Sequence, residues 1–235
     1  MQSKLYQFRG AVQILTTKSW LGLEKNRTVR IDSISSVVGK PSYEALAQEI
    51  SDASVTLLRN EKSLLPLSSG SHVHLVTVTD QYDPQLGLEL QFTLQAHGLP
   101  VELSHLSNES GHERVEEVVS LAQKSDVVVM GVYLSVGAWK GSLRFSRALE
   151  QFLAPLTSLS KPVITVTFGD PYVLAKLPTT DVVLAPYNGT VLAERSIGKA
   201  LVGAIQIKGK LPVTIPGKYR LDSGLEVRPR SQQSK

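Results

Sequence analysis

The chain contains no cysteine among its 235 residues. This absence excludes disulfides, thiolate metal sites and a cysteine nucleophile, and it leaves the redox compartment open. Long apolar runs are absent as well, since none approaches the roughly 18 residues that a membrane-spanning helix needs. The first residues also lack the apolar stretch of a secretory signal. We therefore expect no membrane partner and a cytoplasmic location by default, unless the true N-terminus lies further upstream.

Basic residues are scarce in the middle of the chain, although the net charge is +4. Residues 1–30 hold six basic and one acidic side chain, and residues 208–235 hold seven basic and two acidic ones. The centre is left with 12 basic and 18 acidic side chains. Nucleic-acid binding requires a basic face on the folded body, so we expect no nucleic-acid partner. Neither a Gly-x-Gly-x-x-Gly motif nor a P-loop follows the first predicted strand of the sheet, which gives little support to a nucleotide site.

Apolar residues make up 42% of the chain, enough for a sizeable core. From Val73 onward, short apolar runs alternate with segments of helical periodicity. The predicted strands cover 73–79, 100–106, 126–133, 162–168 and 181–186. The predicted helices cover 84–97, 111–124, 144–158, 171–176 and 190–203. The alternation predicts an α/β fold with a doubly wound, mostly parallel sheet of five to six strands, a flavodoxin-like three-layer sandwich.

The ends of the chain are less regular. Residues 11–23 predict a short amphipathic helix that ends near Gly22. Residues 24–41 have little periodicity and predict a linker. Residues 42–60 predict a second helix because four apolar residues recur at helical spacing. These residues are Leu46, Ile50, Ala53 and Leu57. A last strand over 210–215 would join the sheet edge, where its prolines fit, and residues 218–235 predict a flexible tail.

Ligands of an open parallel sheet bind beyond the carboxyl ends of its strands. Three polar residues follow predicted strands at these ends, namely Asp80, Asp170 and Asn188. We regard them as candidate substrate-binding residues. The two aspartates also stand just before predicted helices, so capping those helices is an alternative role.

The segment 135–142 follows the third predicted strand and carries an indole, an ammonium group and hydroxyls. Trp139, Lys140 and Ser142 are therefore further candidates for sugar binding, because an indole stacks on a sugar face while Lys and Ser bond its hydroxyls. The alternative is that Trp139 packs against a neighbouring domain. His72 and His74 project to one face of a strand, as two metal ligands would, but the spacing supplies no third ligand. We predict no metal site and no cofactor.

Several segments together carry a family signature. They are 53–60, 64–67, 162–174, 181–190 and 209–216. Over residues 11–217 the chain resembles the C-terminal domain of family 3 glycoside hydrolases. The resemblance implies that residues 42–217 form this domain and that residues 1–23 are a remnant helix of the (β/α)8 barrel that normally precedes it. It also implies two partners, a carbohydrate and such a barrel, in cis or in trans.

The resemblance also concerns catalysis. Family 3 enzymes use an Asp nucleophile on the barrel and a separate proton donor, as the retaining mechanism requires. Members similar to β-glucosidases take the donor from a Glu of the second domain, whereas no acidic residue lies between Met130 and Arg147 here. Members similar to β-N-acetylhexosaminidases use an Asp–His pair of the barrel, and residues 136–142 resemble this group more closely.

The implied parent enzyme hydrolyses terminal β-N-acetylglucosaminyl residues, and this chain alone is expected to hold no catalytic residue and to support the barrel. Two alternatives stay open. One is a free-standing module that binds a carbohydrate or another small ligand, and the other is an interaction protein that docks a barrel partner.

Overall fold

The computed structural model describes residues 2–134 and 153–232. The chain divides into two compact units, Met1–Ala45 and Leu46–Lys235. Within the described ranges, no helix is both long enough and apolar enough to cross a membrane.

The first unit consists mainly of helix α1, Gln2–Trp20. It is longer at its N-terminal end than the helix predicted over 11–23. Gly22 has a φ of 67°, a left-handed conformation that glycine adopts without strain. The N–H of Leu23 donates to the carbonyl of Lys18 at 3.0 Å, which closes the last turn. A 3-10 helix, Ile31–Ser33, and the single-turn helix α2, Ile34–Val37, follow.

The second unit is built on a six-stranded sheet. Its strands are β1 (Thr56–Asn60), β2 (Val73–Thr79), β3 (Val101–Ser107), β4 (Val127–Leu134), β5 (Val163–Gly169) and β6 (Val182–Ala185). Their spatial order is β1-β6-β5-β4-β2-β3. β1 runs antiparallel to β6, and the other neighbouring pairs are parallel. The five parallel strands follow the flavodoxin-like order, which confirms the predicted fold class and places the switch point between β2 and β4.

Helices cover both faces of this sheet. Helices α4 (Leu88–Ala96) and α6 (Val191–Val202) pack on one face, and α5 (His112–Lys124) packs on the other. Helix α3 (Pro41–Ser54) is bonded to α6 through polar side chains. Residues 153–157 are helical too, within the helix predicted over 144–158, whose first part lies outside the described residues.

Alternate residues of each strand enter two separate cores. In β4, Val127 and Val129 pack in the core that contains α4 and α6, whereas Val128 and Met130 pack in the core that contains α5. All four side chains are buried. Because both faces of the sheet are covered, such strands are apolar throughout. This pattern explains why the parallel strands were predicted to within one or two residues.

The helix predicted over 42–60 is wrong beyond Ser54. Helix α3 ends there, and Thr56–Asn60 form strand β1. Thr56 pairs with Ala185 of β6. Tertiary pairing with an existing sheet therefore overrides the helical spacing of the apolar residues.

The predictions for the C-terminal part also need correction. Residues 210–215 form no strand, because β1 already pairs with β6 at that edge of the sheet. The segment 218–232 is held to the unit, where a flexible tail was predicted. Leu225 forms an antiparallel bridge with Leu57, and Val227 forms one with Ile207. The Arg230 guanidinium also donates to Ser69 Oγ at 3.0 Å.

Candidate functional site

The carboxyl ends of the parallel strands define the edge where this fold class binds ligands. Asp80 directly follows β2, and Asp170 directly follows β5. Asn188 follows β6 after one proline and one tyrosine. The structure therefore brings the three predicted residues to one edge of the sheet. The other three candidates, Trp139, Lys140 and Ser142, lie outside the described residues.

Asp170 caps the element that follows it. Its Oδ1 accepts a hydrogen bond of 2.8 Å from the N–H of Tyr172, and it stands at the N-cap of the 3-10 helix Pro171–Ala175. This bond satisfies a backbone donor that the short helix leaves unpaired. The capping alternative is thus confirmed for Asp170, and one of its two carboxylate oxygens forms the capping bond.

Asn188 shapes the turn between β6 and α6. Its Oδ1 accepts from both the N–H and the hydroxyl of Thr190, at 3.1 and 2.7 Å. Its Nδ2 donates to the carbonyl of Pro186 at 3.3 Å. Thr190 in turn caps α6 by accepting from the N–H of Ala193. The Asn188 amide is therefore used in positioning the start of this helix.

Asp80 does not stand at the N-cap of the helix that follows it, so that alternative is wrong for this residue. It accepts from Asn108 Nδ2, which follows β3, at 3.5 Å. Helix α4 begins only at Leu88, and its N-cap residue is Gly87, with a φ of 84°. A side chain at this position would lie 2.8 Å from Thr77, so glycine fits both the backbone and the space.

A residue that the sequence reasoning missed, Glu194 of α6, caps α4 instead. Its side-chain oxygens accept from the N–H groups of Gly87 at 2.8 Å, Glu89 at 3.1 Å and Leu90 at 3.2 Å. They also accept from the Tyr133 hydroxyl at 2.8 Å. Glu194 is only 4% exposed. In the sequence it reads as an ordinary acidic residue of a first helical turn, and nothing in its spacing points to α4.

This carboxylate occupies a position that matters for ligand binding. The N-terminus of the helix after the first parallel strand is where related folds hold a phosphate, because its N–H groups and dipole favour an anion. Here the anion is the protein's own side chain. Burial, together with the nearby Glu194 charge and hydrogen bond, raises the pKa of Tyr133 well above its usual value near 10, so this tyrosine stays a donor.

A pocket of about 320 Å³ opens at the carboxyl ends of β2 and β3. His105 lies in it, with its Nδ1 bonded to Thr77 Oγ1 at 2.7 Å, so that Nε2 is the nitrogen left to a ligand. The Tyr82 ring stands edge-on to the imidazole, with the ring centres 5.7 Å apart. The polar lining is completed by Ser107, Glu109, Ser110 and Arg114. Burial, and to a lesser extent Arg114, lowers the pKa of His105, which favours the neutral ring.

One residue of the histidine pair is held inside the sheet. His74 is fully buried in β2, and its Nε2 lies 3.0 Å from Ser104 Oγ on the adjacent strand. Across residues 2–134 and 153–232 no three His, Asp or Glu side chains are grouped so that they could hold a metal ion.

Comparison with known proteins agrees with this architecture. The model of the glycosyl hydrolase family 3 C-terminal domain matches residues 55–233. The chain therefore belongs to this domain family, and the resemblance noted from its sequence segments is confirmed. A Cellulomonas fimi β-N-acetylglucosaminidase/β-glucosidase is 23% identical over 214 residues, covering 86% of this chain and 37% of that protein. A putative β-xylosidase of Formosa agariphila is also 23% identical, with 88% of this chain and 31% of that protein covered.

Solved structures give the same result for the fold. A family 3 β-N-acetylglucosaminidase from Paenibacillus sp. str. FPU-7 superimposes with a TM-score of 0.72 at 22% identity, covering 88% of this chain and 39% of that one. A β-glucosidase from Listeria innocua gives a TM-score of 0.69 at 23% identity, covering 86% and 31%. At these identities the superpositions establish the fold alone. The chain spans about a third of the length of these relatives.

Proposed function

We propose that this chain acts as the non-catalytic C-terminal domain of a family 3 glycoside hydrolase that cleaves terminal β-linked N-acetylglucosaminyl residues. Its role is to support a (β/α)8 barrel, which supplies the catalytic carboxylates. Two facts support the non-catalytic role. The chain spans about a third of its relatives, and no Asp or Glu lies between Met130 and Arg147, where the β-glucosidase subgroup carries its proton donor.

The observation that carries the docking role is the orientation of α3. Leu46 and Ile50, one turn apart on this helix, are 54% and 62% exposed. On its inner side the helix presents polar groups instead. Gln48 Nε2 and Asp52 Oδ1 both bond the Ser196 hydroxyl of α6, at 2.9 and 2.7 Å. A surface helix of a self-contained domain buries its apolar stripe, so the outer stripe of α3 is suited to be covered by another body.

Exposed apolar side chains are also a feature of the first unit. Large apolar side chains of this unit are strongly exposed, above all Phe8, Leu15, Trp20, Val29, Ile31 and Val38. Exposed apolar surface on this scale marks a contact with another protein or domain. It supports the assignment of 1–23 as the remnant barrel helix and of 24–41 as the linker.

Hydrolysis of para-nitrophenyl N-acetyl-β-glucosaminide tests the proposal. The chain is assayed alone and with a separately expressed family 3 barrel, and the matching glucoside serves as the substrate control. We expect no turnover by the chain alone and a gain when the barrel is present. Leu46→Asp combined with Ile50→Asp should abolish that gain, whereas Glu49→Gln on the same helix should keep it. Turnover by the chain alone would refute the non-catalytic role.

A second candidate function, binding of a sugar or another small ligand, is favoured by the pocket at Tyr82, His105, Ser110 and Arg114. An aromatic ring beside convergent polar groups is typical of small-ligand sites. Asp80, Asp170 and Asn188 lie at the same edge, and Trp139, Lys140 and Ser142 follow β4 in the sequence. Calorimetric titration with N-acetylglucosamine and chitobiose tests this function. Saturable heat that is lost in Tyr82→Ala or Trp139→Ala would support it, and its absence in the unaltered chain would exclude it for these sugars.

A further inference from the structure

A second cleft, of about 520 Å³, lies at the amino ends of the parallel strands, on the side of the sheet opposite to their carboxyl ends. Three chain segments form its walls: the turn after β1, the entry into β5 and the entry into β6. Because β1 is antiparallel to its neighbour, its carboxyl end lies at the amino ends of the parallel strands. The topology therefore brings Arg59 and Lys62 to the side where Lys161 precedes β5.

The charged side chains of this cleft differ in whether they have partners within the protein. Its two carboxylates both have one. Glu61 pairs with Arg59 at 3.0 Å, and Asp181 Oδ2 accepts from the N–H of Val163 at 2.9 Å. The two lysines have none, since in the described ranges the ammonium groups of Lys62 and Lys161 form no ion pair or hydrogen bond.

Arg59 also carries a buried donor. Its Nε is inaccessible to solvent and has no hydrogen-bond partner among residues 2–134 and 153–232. A buried donor without a partner is unfavourable, and such groups are rare in native proteins. Because solvent does not reach this nitrogen, it is closed to a ligand as well, and the excess of the cleft lies in charge alone: three cationic side chains line it against two carboxylates, which favours an anion.

The backbone that carries Lys62 is itself unusual. Lys62 and Ser63 have φ values of 53° and 51°, in the left-handed region that residues other than glycine rarely adopt. The turn is held by Asn60, whose Oδ1 accepts from the N–H of Leu65 at 3.1 Å. Backbone conformations of this kind concentrate at ligand sites, where the surrounding structure maintains them. Here the conformation fixes Lys62 at the rim of the cleft.

We propose that this cleft binds an anionic small molecule, whose phosphate, sulfate or carboxylate group lies among Arg59, Lys62 and Lys161. The volume falls in the usual range for small-ligand sites, and lysine binds such groups as a point charge. The site lies on the edge away from the carboxyl ends of the parallel strands and uses none of the residues assigned to docking or sugar binding. Its existence is independent of the proposed glycosidase role.

Calorimetric titration of the whole chain with inorganic pyrophosphate, citrate and sulfate, at low ionic strength, tests the proposal. We expect saturable single-site binding of at least one of these anions. The double variant Lys62→Gln, Lys161→Gln removes both charges and should weaken that binding by about tenfold or more. Lys208→Gln removes an exposed lysine on another segment and should leave the affinity unchanged.

The preferred anion identifies the ligand class, since pyrophosphate points to a phosphate ester and citrate to a carboxylate. Absence of saturable binding to all three anions would overturn the proposal. Equal affinity in the double variant, or an equal loss in Lys208→Gln, would overturn it as well. Lys62→Gly, which suits the left-handed backbone, serves as a second variant whose fold is secure and should also bind more weakly.

Discussion

Glu194 illustrates how one side chain can join three elements. It belongs to α6, accepts from three backbone donors at the start of α4 and accepts from Tyr133 near the end of β4. Below it, the Tyr133 ring stacks on Phe168 with the ring centres 4.3 Å apart. Gly131 leaves the space for this stack, because a Cβ there would lie 3.0 Å from the Tyr133 ring.

Replacing Glu194 by Gln tests this arrangement. The amide presents an NH2 group where an oxygen now accepts, so at least one buried donor loses its partner. We expect the free energy of unfolding to fall by about 2 kcal/mol or more, measured by urea denaturation. Glu113→Gln, an exposed change in the first turn of α5, should stay within about 0.5 kcal/mol of the parent. Equal effects of the two changes would contradict the capping role.

His74 makes the stability depend on pH. Burial, as the main cause, lowers its pKa below the 6.5 of an unfolded histidine, partly countered by Glu102, whereas His72 and Arg114 lower it further. Below about pH 6.5 the unfolded chain binds a proton that the folded chain does not, so stability decreases as the pH falls from that value towards the folded pKa. Above it the residue is neutral in both states and has no effect.

Urea denaturation between about pH 7.5 and pH 5 measures this dependence. His74→Gln keeps a polar partner for Ser104 and should reduce the slope of stability against pH. A slope that is identical in this variant and in the parent would show that His74 does not contribute.

At the scale of elements, α3 reverses the usual arrangement of a surface helix. Its inner contacts are polar and its outer stripe is apolar, so the two faces should respond oppositely to substitution. Leu46→Ser and Ile50→Ser should each change the free energy of unfolding of this chain by less than about 0.5 kcal/mol. Ser196→Val removes the hydroxyl shared by Gln48, Ser51 and Asp52 and should cost about 1–3 kcal/mol. Urea denaturation measures all three, and a large loss at Leu46 or Ile50 would contradict the outward orientation.

The junction between α3 and β1 depends on a close approach of two chain segments. A Cβ on Gly209 would lie 2.5 Å from the carbonyl oxygen of Val55 and 2.8 Å from that of Ser54. Gly209→Ala should therefore destabilise the unit by about 1–3 kcal/mol, since backbone must shift to admit the methyl group. Gly10→Ala in α1, where a Cβ meets nothing within 4 Å, is the matched control in thermal unfolding. Retention of the parent midpoint by Gly209→Ala would show that the junction can relax.

Sequence patterns predicted those elements whose character is local. The β4 run is apolar on both faces, and α5 carries a clear apolar stripe through Val115 and Val118, so each was placed to within one residue. β1 was missed because its pairing partner, β6, is remote in the sequence. For the site, the position of Asp80, Asp170 and Asn188 follows from strand order, but Glu194 does not, since its partners become neighbours only after folding.

For the whole molecule, the two units differ in what holds them together. Both hydrophobic cores are formed by residues from Val55 onward, and no described residue of Met1–Ala45 belongs to either. A variant that lacks residues 1–40 should therefore unfold at the same urea concentration as the full chain. It should also associate less with itself, because it loses exposed apolar side chains such as Trp20 and Ile31. A clear fall in the urea midpoint would show that the first unit contributes to the stability of the second unit.

The place of β1 at the edge of the sheet has a consequence for synthesis on the ribosome. β1 is the first strand of this sheet to be made, yet it pairs with β6 and forms a bridge with Leu225. Its backbone groups therefore remain without these partners until nearly the whole unit has been translated. An unpaired strand edge readily pairs with other chains. A nascent chain that stops before Leu225 should consequently depend on chaperones, whereas the completed chain closes this edge with its own late segments.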